Sequence, residues 1–165
     1  MYNYALTYPE NYNEGRLLTA NMASVQWHMA RLFKVKGDYG SEYKWYEQAL
    51  TNKIGYSDGD DLYICMSLRD LGKVEDASIL LRSMLHRADQ ILENIDQMPY
   101  FGGFISNLPG EHSIVSANSM RAYPLKFYAL LGLGYRQEAE QALEMCKQWH
   151  TQKAQIELAI KDFGL

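Results

Sequence analysis

Apolar residues recur every three or four positions along most of the chain, and the pattern is clearest between Asp61 and Glu93. A first helix over 62–71 is predicted to have one apolar side, formed by Ile64, Cys65, Leu68 and Leu71. Gly72 interrupts the pattern, and a second helix follows. Its apolar residues at helical spacing are Ala77, Leu80, Leu81, Met84, Leu85, Ala88, Ile91 and Leu92. Such a hairpin cannot bury its apolar side alone, so the pattern predicts neighbours of the same kind.

A similar hairpin is predicted before this one. Asn21 is the expected N-cap of its first helix, and Ser41 is the expected N-cap of its second. Residues 57–61, with the sequence Ser-Asp-Gly-Asp-Asp, form a cluster of turn-forming residues that should separate the two hairpins. A third hairpin is predicted over 123–150. The chain therefore predicts an all-α fold of three helix pairs with no sheet.

The spacing of the turn glycines indicates two regular repeats followed by one insertion. Gly37 and Gly72 are 35 positions apart, whereas Gly72 and Gly134 are 62 positions apart. The extra residues lie in 97–122, where Pro and Gly argue against a continuing helix. A final amphipathic helix should cover the open end of the stack. The predicted single domain consists of an extended arm (1–20), repeat 1 (21–56), repeat 2 (60–96), an insertion (97–122), repeat 3 (123–150) and a capping helix (151–165).

Composition and charge restrict the possible partners. A chain of 165 residues suits one domain that buries about 70% of its unfolded surface. Its net charge of −4 argues against binding to a nucleic-acid backbone. The sequence has no apolar run long enough for a membrane span and no secretion signal, so a soluble cytoplasmic protein is expected. Cys65 and Cys146 fall on predicted core positions, which indicates buried free thiols.

The residues that carry catalytic or metal chemistry elsewhere form no recognisable motif in this sequence. The four histidines lack the spacing of metal ligands. Asp58, Asp60, Asp61 and Glu111 are expected in solvated turns, because acid–base catalysis would need a paired geometry. Glu111 and His112 form the best candidate pair, yet a turn is the simpler interpretation. We therefore expect no catalytic residue, no metal and no cofactor, and hence no enzyme.

The three hairpins share a residue pattern around their turn glycines. It consists of Ala30, Phe33, Gly37, Tyr46 and Ala49 in the first hairpin, Cys65, Leu68, Gly72, Ala77, Leu81 and Met84 in the second, and Phe127, Leu130, Gly134, Ala139, Leu143 and Cys146 in the third. This pattern resembles tetratricopeptide repeats. The resemblance implies a right-handed stack of helix pairs with a concave surface lined by the first helix of each pair.

Four shorter motifs indicate a more specific resemblance. They are Tyr-Pro-Glu-Asn-Tyr-Asn-Glu-Gly-Arg-Leu at 8–17, Leu-Arg-Asp-Leu-Gly-Lys at 68–73, Tyr-Phe at 100–101 and Tyr-Ala-Leu-Leu-Gly-Leu-Gly at 128–134. Together they resemble the C-terminal repeat region of bacterial multidomain proteins that carry an aldose-epimerase-like domain of unknown function. This resemblance implies that another domain precedes the repeats and that carbohydrate is involved.

The tetratricopeptide resemblance also implies which residues line the concave surface. Counted from each turn glycine, they are Trp27, Arg31, Lys34, Leu62, Met66, Arg69, Arg121 and Tyr128. Aromatic residues, Met and Arg are enriched where proteins bind partners. The alternative interpretation is that Trp27 and Met66 are partly buried packing residues and that the cations form a solvated rim.

Two functions follow from these expectations. The first is a non-catalytic interaction module whose partner is a protein, a peptide or a neighbouring domain of the same polypeptide. The second is the helical accessory part of a larger carbohydrate-active enzyme, inactive in isolation. The tyrosine-rich arm adds a second copy of the chain as a candidate partner, because exposed aromatic patches mark interfaces.

Overall fold

The computed structural model describes residues 21–55, 58–97, 114–149 and 153–165. In these ranges every regular element is a helix and no strand occurs, which confirms the all-α prediction. The helices are α1 (Ala23–Val35), α2 (Tyr39–Ala49), α3 (Asp58–Asp70), α4 (Val74–Glu93), α5 (Ile114–Leu133), α6 (Arg136–Gln148) and α7 (Lys153–Phe163). The chain divides into two compact units, 1–80 and 81–165. None of the described helices is long and apolar enough to cross a membrane.

The turns after α1, α3 and α5 have the same backbone geometry. Gly37, Gly72 and Gly134 have φ angles of 73°, 80° and 84°. Each glycine amide donates to the carbonyl three residues earlier, and the next amide donates to the carbonyl five residues before it, at distances between 2.8 and 3.1 Å. This is the Schellman motif, which ends a helix on a left-handed residue and favours glycine. The three predicted glycine turns are confirmed.

The first unit packs α1, α2 and the buried helix α3 together. α1 and α2 contact each other, and α3 contacts both. Residues 59–68 of α3 are all buried. The predicted apolar residues Ile64, Cys65 and Leu68 are buried, and burial extends beyond the one predicted side of the helix. Gly59 and Ser67 are small enough to pack inside, and Asp60 and Asp61 are buried with hydrogen-bond partners, so α3 has no solvated side over this range.

Three of the predicted helix starts in the first unit are corrected by the structure. Asn21 does not cap α1: its amide donates to the Lys53 carbonyl (2.7 Å), which ties the two ends of the first hairpin together. α2 is capped by Asp38, whose carboxylate accepts from the amide (3.1 Å) and hydroxyl (2.7 Å) of Ser41. The predicted turn cluster at 57–61 is in large part the first turn of α3, where carboxylates are favourable next to the helix dipole.

In the second unit, α5 is the most enclosed helix. Twelve of its 20 residues are buried, including Phe127 and Tyr128 with no exposed surface. It begins at Ile114, so the predicted insertion over 97–122 is helical from 114 onward, and the predicted start at 123 was wrong. Pro124 lies inside this helix. The helix accommodates it because the residue whose carbonyl loses its amide partner, Met120, is exposed to solvent.

The last helices complete the second unit. α5 packs against α6 and also contacts α7. The predicted apolar face of α7 is confirmed, since Ile156 and Ala159 are buried. Arg136 at the start of α6 donates a hydrogen bond to the Gly164 carbonyl after α7. Both cysteines are buried free thiols, as expected.

Candidate functional site

Two buried carboxylates at the start of α3 hold the first hairpin in place. Asp60 accepts a hydrogen bond from the Ser24 amide (2.9 Å), so α3 supplies the cap that α1 lacks. Both carboxylate oxygens of Asp61 accept from the Gly55 amide (3.0 and 2.8 Å). These residues were expected in a solvated turn, and that expectation was wrong. Their position in the first turn of a helix was the sequence feature that could have indicated a capping role.

A third carboxylate, Asp70, lies at the other end of α3. It accepts a hydrogen bond from the Trp27 indole Nε1 (3.0 Å), and its charge acts on the Tyr46 hydroxyl of α2. Burial raises the pKa of Tyr46 well above its ordinary value, and the negative charge of Asp70 raises it further. Tyr46 is therefore a neutral donor at physiological pH. Asp70 joins all three helices of the first unit.

Trp27 is also the centre of an aromatic and cationic group. Its ring lies 5.1 Å from the His28 ring and 5.4 Å from the Tyr63 ring of α3. The guanidinium carbon of Arg31 lies 4.7 Å from the centroid of the Trp27 ring, within the range of a cation–π contact. Lys34, one turn further along α1, forms an ion pair with Glu42 of α2 (3.4 Å). Trp27 and Arg31, two of the predicted surface residues, are thus in direct contact.

The other predicted surface residues have different environments. Leu62 and Tyr128 have no exposed surface, and Met66 and Trp27 are buried as well, which gives these four a packing role in their units. Arg31, Lys34 and Arg69 are exposed in the first unit, and Arg121 is exposed in the second. We call Trp27, Arg31, Arg69 and Asp70 the α1–α3 surface. Within it, the buried indole supports the charged side chains rather than offering a ring to solvent.

The second unit contains a polar pocket that the sequence did not indicate. It has a volume of about 410 Å³ between the end of α4 and the first half of α5, and we call it the arginine pocket. Its lining residues are Arg87, Gln90, Ile91, Asn94, Gln97, Asn118 and Arg121. The Asn118 amide donates to the carbonyls of Ile95 and Gln97 (2.9 Å each), which fixes the chain after α4 against α5. Only Arg121 belonged to the predicted surface.

The residue types that carry metal and thiol chemistry have these environments in the described ranges. No group of three or more His, Cys, Asp or Glu residues there could hold a metal ion. Burial raises the pKa of the Cys65 thiol to about 12, with the charge of Asp61 adding to the shift, so this cysteine is protonated and a poor nucleophile. The candidate pair Glu111 and His112 lies outside the described residues.

Comparison with known proteins yields no relative. No protein-family model matches the chain, and neither the curated proteins nor the solved structures contain a significant match to it. The resemblance to tetratricopeptide repeats and the resemblance to the repeat region of bacterial multidomain proteins therefore remain predictions.

Proposed function

We propose that this protein is a non-catalytic, tetratricopeptide-like interaction module that binds a protein or peptide at the α1–α3 surface. The observation that carries the proposal is the packing of α3 against both helices of the preceding hairpin. Stacked repeats place the first helices of successive hairpins side by side in this way and use them to bind partners. The identical glycine turns after α1, α3 and α5 support the same arrangement.

The chemistry of the surface supports a partner with negative charge. Arg31 and Arg69 are exposed, and the guanidinium of Arg31 is positioned over a buried tryptophan ring. A guanidinium that already rests on an aromatic ring loses less side-chain entropy on binding than a freely moving one. Arginine and tryptophan are among the residues most enriched at binding hot spots. An acidic segment of a partner protein is the ligand that fits these groups.

Selection from a displayed library of short random peptides tests this function. We expect the purified chain to enrich peptides with Asp or Glu, and the affinity of the selected peptides to be measured by fluorescence anisotropy. The double variant Arg31→Gln/Arg69→Gln should weaken binding about tenfold or more. The control is Arg82→Gln/Lys161→Gln, which removes the same net charge from exposed positions elsewhere. Absence of enrichment, or equal weakening by both variants, would contradict the proposal.

A further inference from the structure

The arginine pocket is a candidate binding site that is independent of the α1–α3 surface. Two guanidinium groups, from Arg87 on α4 and Arg121 on α5, line it together with four carboxamide side chains. None of the described residues that line the pocket carries a carboxylate. These lining residues contribute two positive charges, whereas the whole chain has a net charge of −4. A pocket of this volume is large enough for a small organic molecule or one side chain of a partner.

The shape of the pocket is set by contacts within the second unit. Asn118 holds the backbone after α4 through its two hydrogen bonds, so the polar wall formed by Asn94 and Gln97 is fixed relative to α5. The Nε atom of Arg87 is buried, which restricts the motion of its guanidinium. Preorganised donors lose less entropy on binding than mobile surface side chains. The pocket thus differs from a chance cluster of exposed cations.

The position of the pocket favours a singly charged ligand. Gln90 and Ile91 belong to the last turn of α4, which ends at Glu93. The carboxyl end of a helix carries partial negative charge, which opposes a dianion more strongly than a monoanionic group. The planar fork of an arginine matches the two oxygens of a carboxylate, and carboxamides can donate to the same group. We propose that the arginine pocket binds an organic carboxylate through Arg87 and Arg121.

Titration of the ¹⁵N-labelled chain with sodium propionate, a monocarboxylate, tests this site by NMR. We expect saturable shifts of the backbone amides around Arg87 and Arg121, and no such shifts with sodium chloride at equal ionic strength. The variant Arg87→Gln/Arg121→Gln should weaken binding about tenfold or more, because charge-assisted hydrogen bonds are lost. The control Arg82→Gln/Lys161→Gln should bind normally. Arg121→Gln alone alters an exposed residue and serves if the double variant does not fold.

The source of the carboxylate is distinguished with a short peptide that contains glutamate and its glutamine counterpart. Binding of propionate indicates a free acid, and binding of the glutamate peptide alone indicates an acidic side chain; either result supports the site. The site is refuted if chloride reproduces the shifts, if phosphate binds more tightly than either carboxylate, or if both arginine variants bind like the wild type. The variant Arg31→Gln/Arg69→Gln should retain propionate binding, so failure of this site and failure of the α1–α3 surface remain distinguishable.

Discussion

The two units of the chain hold their central helices in different ways. In the first unit α3 carries Asp60, Asp61 and Asp70, and each accepts hydrogen bonds from the preceding hairpin or the loop after it. In the second unit α5 is enclosed mainly by apolar contacts around Phe127 and Tyr128. Hydrogen bonds to a carboxylate are directional, whereas apolar packing depends chiefly on volume and area. The first unit therefore specifies the placement of its helices with polar groups, and the second relies on packing.

The polar contacts of the first unit also affect the proposed binding surface. The carboxylates of α3 fix α1 in one position, and that position brings Arg31 over Trp27 and Trp27 against Asp70. A surface that is held by directional contacts keeps its charged groups in place before a partner arrives, which lowers the entropy cost of binding. The polar contacts inside the first unit thus serve the surface that we propose for binding.

Phe127→Ala should have the largest effect on stability. The ring is fully buried, and its removal leaves a cavity in the packed interior of the second unit. We expect the free energy of unfolding to fall by about 3–5 kcal/mol in urea denaturation. Phe127→Leu, which retains most of the volume, should cost much less. If both substitutions cost the same small amount, packing around α5 is not what holds the second unit together.

Asp61→Ala should have the next largest effect. The substitution leaves the Gly55 amide without its carboxylate acceptor in the first unit, and we expect a loss of about 2 kcal/mol in the free energy of unfolding. Asp96→Ala removes the same charge from an exposed position and should stay within about 0.5 kcal/mol of the wild type. Equal effects of the two substitutions would show that net charge, and not the contact of Asp61, determines the result.

Alanine substitutions of the turn glycines should lower stability by similar amounts in both units, whereas α3 and α5 are held by different kinds of contact. Alanine at Gly37, Gly72 or Gly134 would meet no atom within 4 Å, so only the left-handed backbone opposes it. We expect each substitution to lower the free energy of unfolding by about 1–2 kcal/mol. Gly40 lies within α2, where alanine is favourable. Gly40→Ala should therefore raise the free energy of unfolding by about 0.5–1 kcal/mol. Thermal or urea unfolding of the four variants measures both signs.

The smallest effect concerns the pH dependence of the first unit. The pKa of Tyr46 is raised in the folded state, because burial and Asp70 disfavour the phenolate. Its contribution to stability is complete below the ordinary tyrosine pKa of about 10 and is lost as the pH rises above that value. We therefore expect wild-type stability to fall more steeply than that of Tyr46→Phe between pH 9.5 and about 11. Parallel curves for the two proteins would exclude Tyr46 as the titrating group.

The regular parts of the fold could be predicted from the sequence because they follow local rules. Apolar spacing predicted α4 and α7, and Gly72 predicted the end of α3. The start of α5 was missed because the prolines and glycines of 97–122 argued against a helix, yet all of them lie before Ile114, where the helix begins. Asp60 and Asp61 were missed for a related reason. Carboxylates are common in turns, and their partners Ser24 and Gly55 are apparent only once the helices are packed.

The predicted binding residues also show that local sequence rules do not reveal how helices pack. Offsets from the turn glycines placed Trp27 and Arg31 near each other, and the structure brings them into contact. The same offsets included Leu62 and Tyr128, which are fully buried. An offset along a helix gives a direction, whereas the exposure of a side chain depends on every element packed around it. Arg87 was missed because its pocket partner, Arg121, is distant in sequence.

The indole N–H resonance of Trp27 reports directly on partner binding at the α1–α3 surface. Its Nε1 is hydrogen-bonded to Asp70, and its ring lies beneath Arg31. Saturation of the ¹⁵N-labelled chain with a selected acidic peptide should shift this resonance, while the indole resonance of Trp149 in the second unit stays in place. A peptide that saturates the chain and leaves the Trp27 resonance unchanged would contradict the proposed surface.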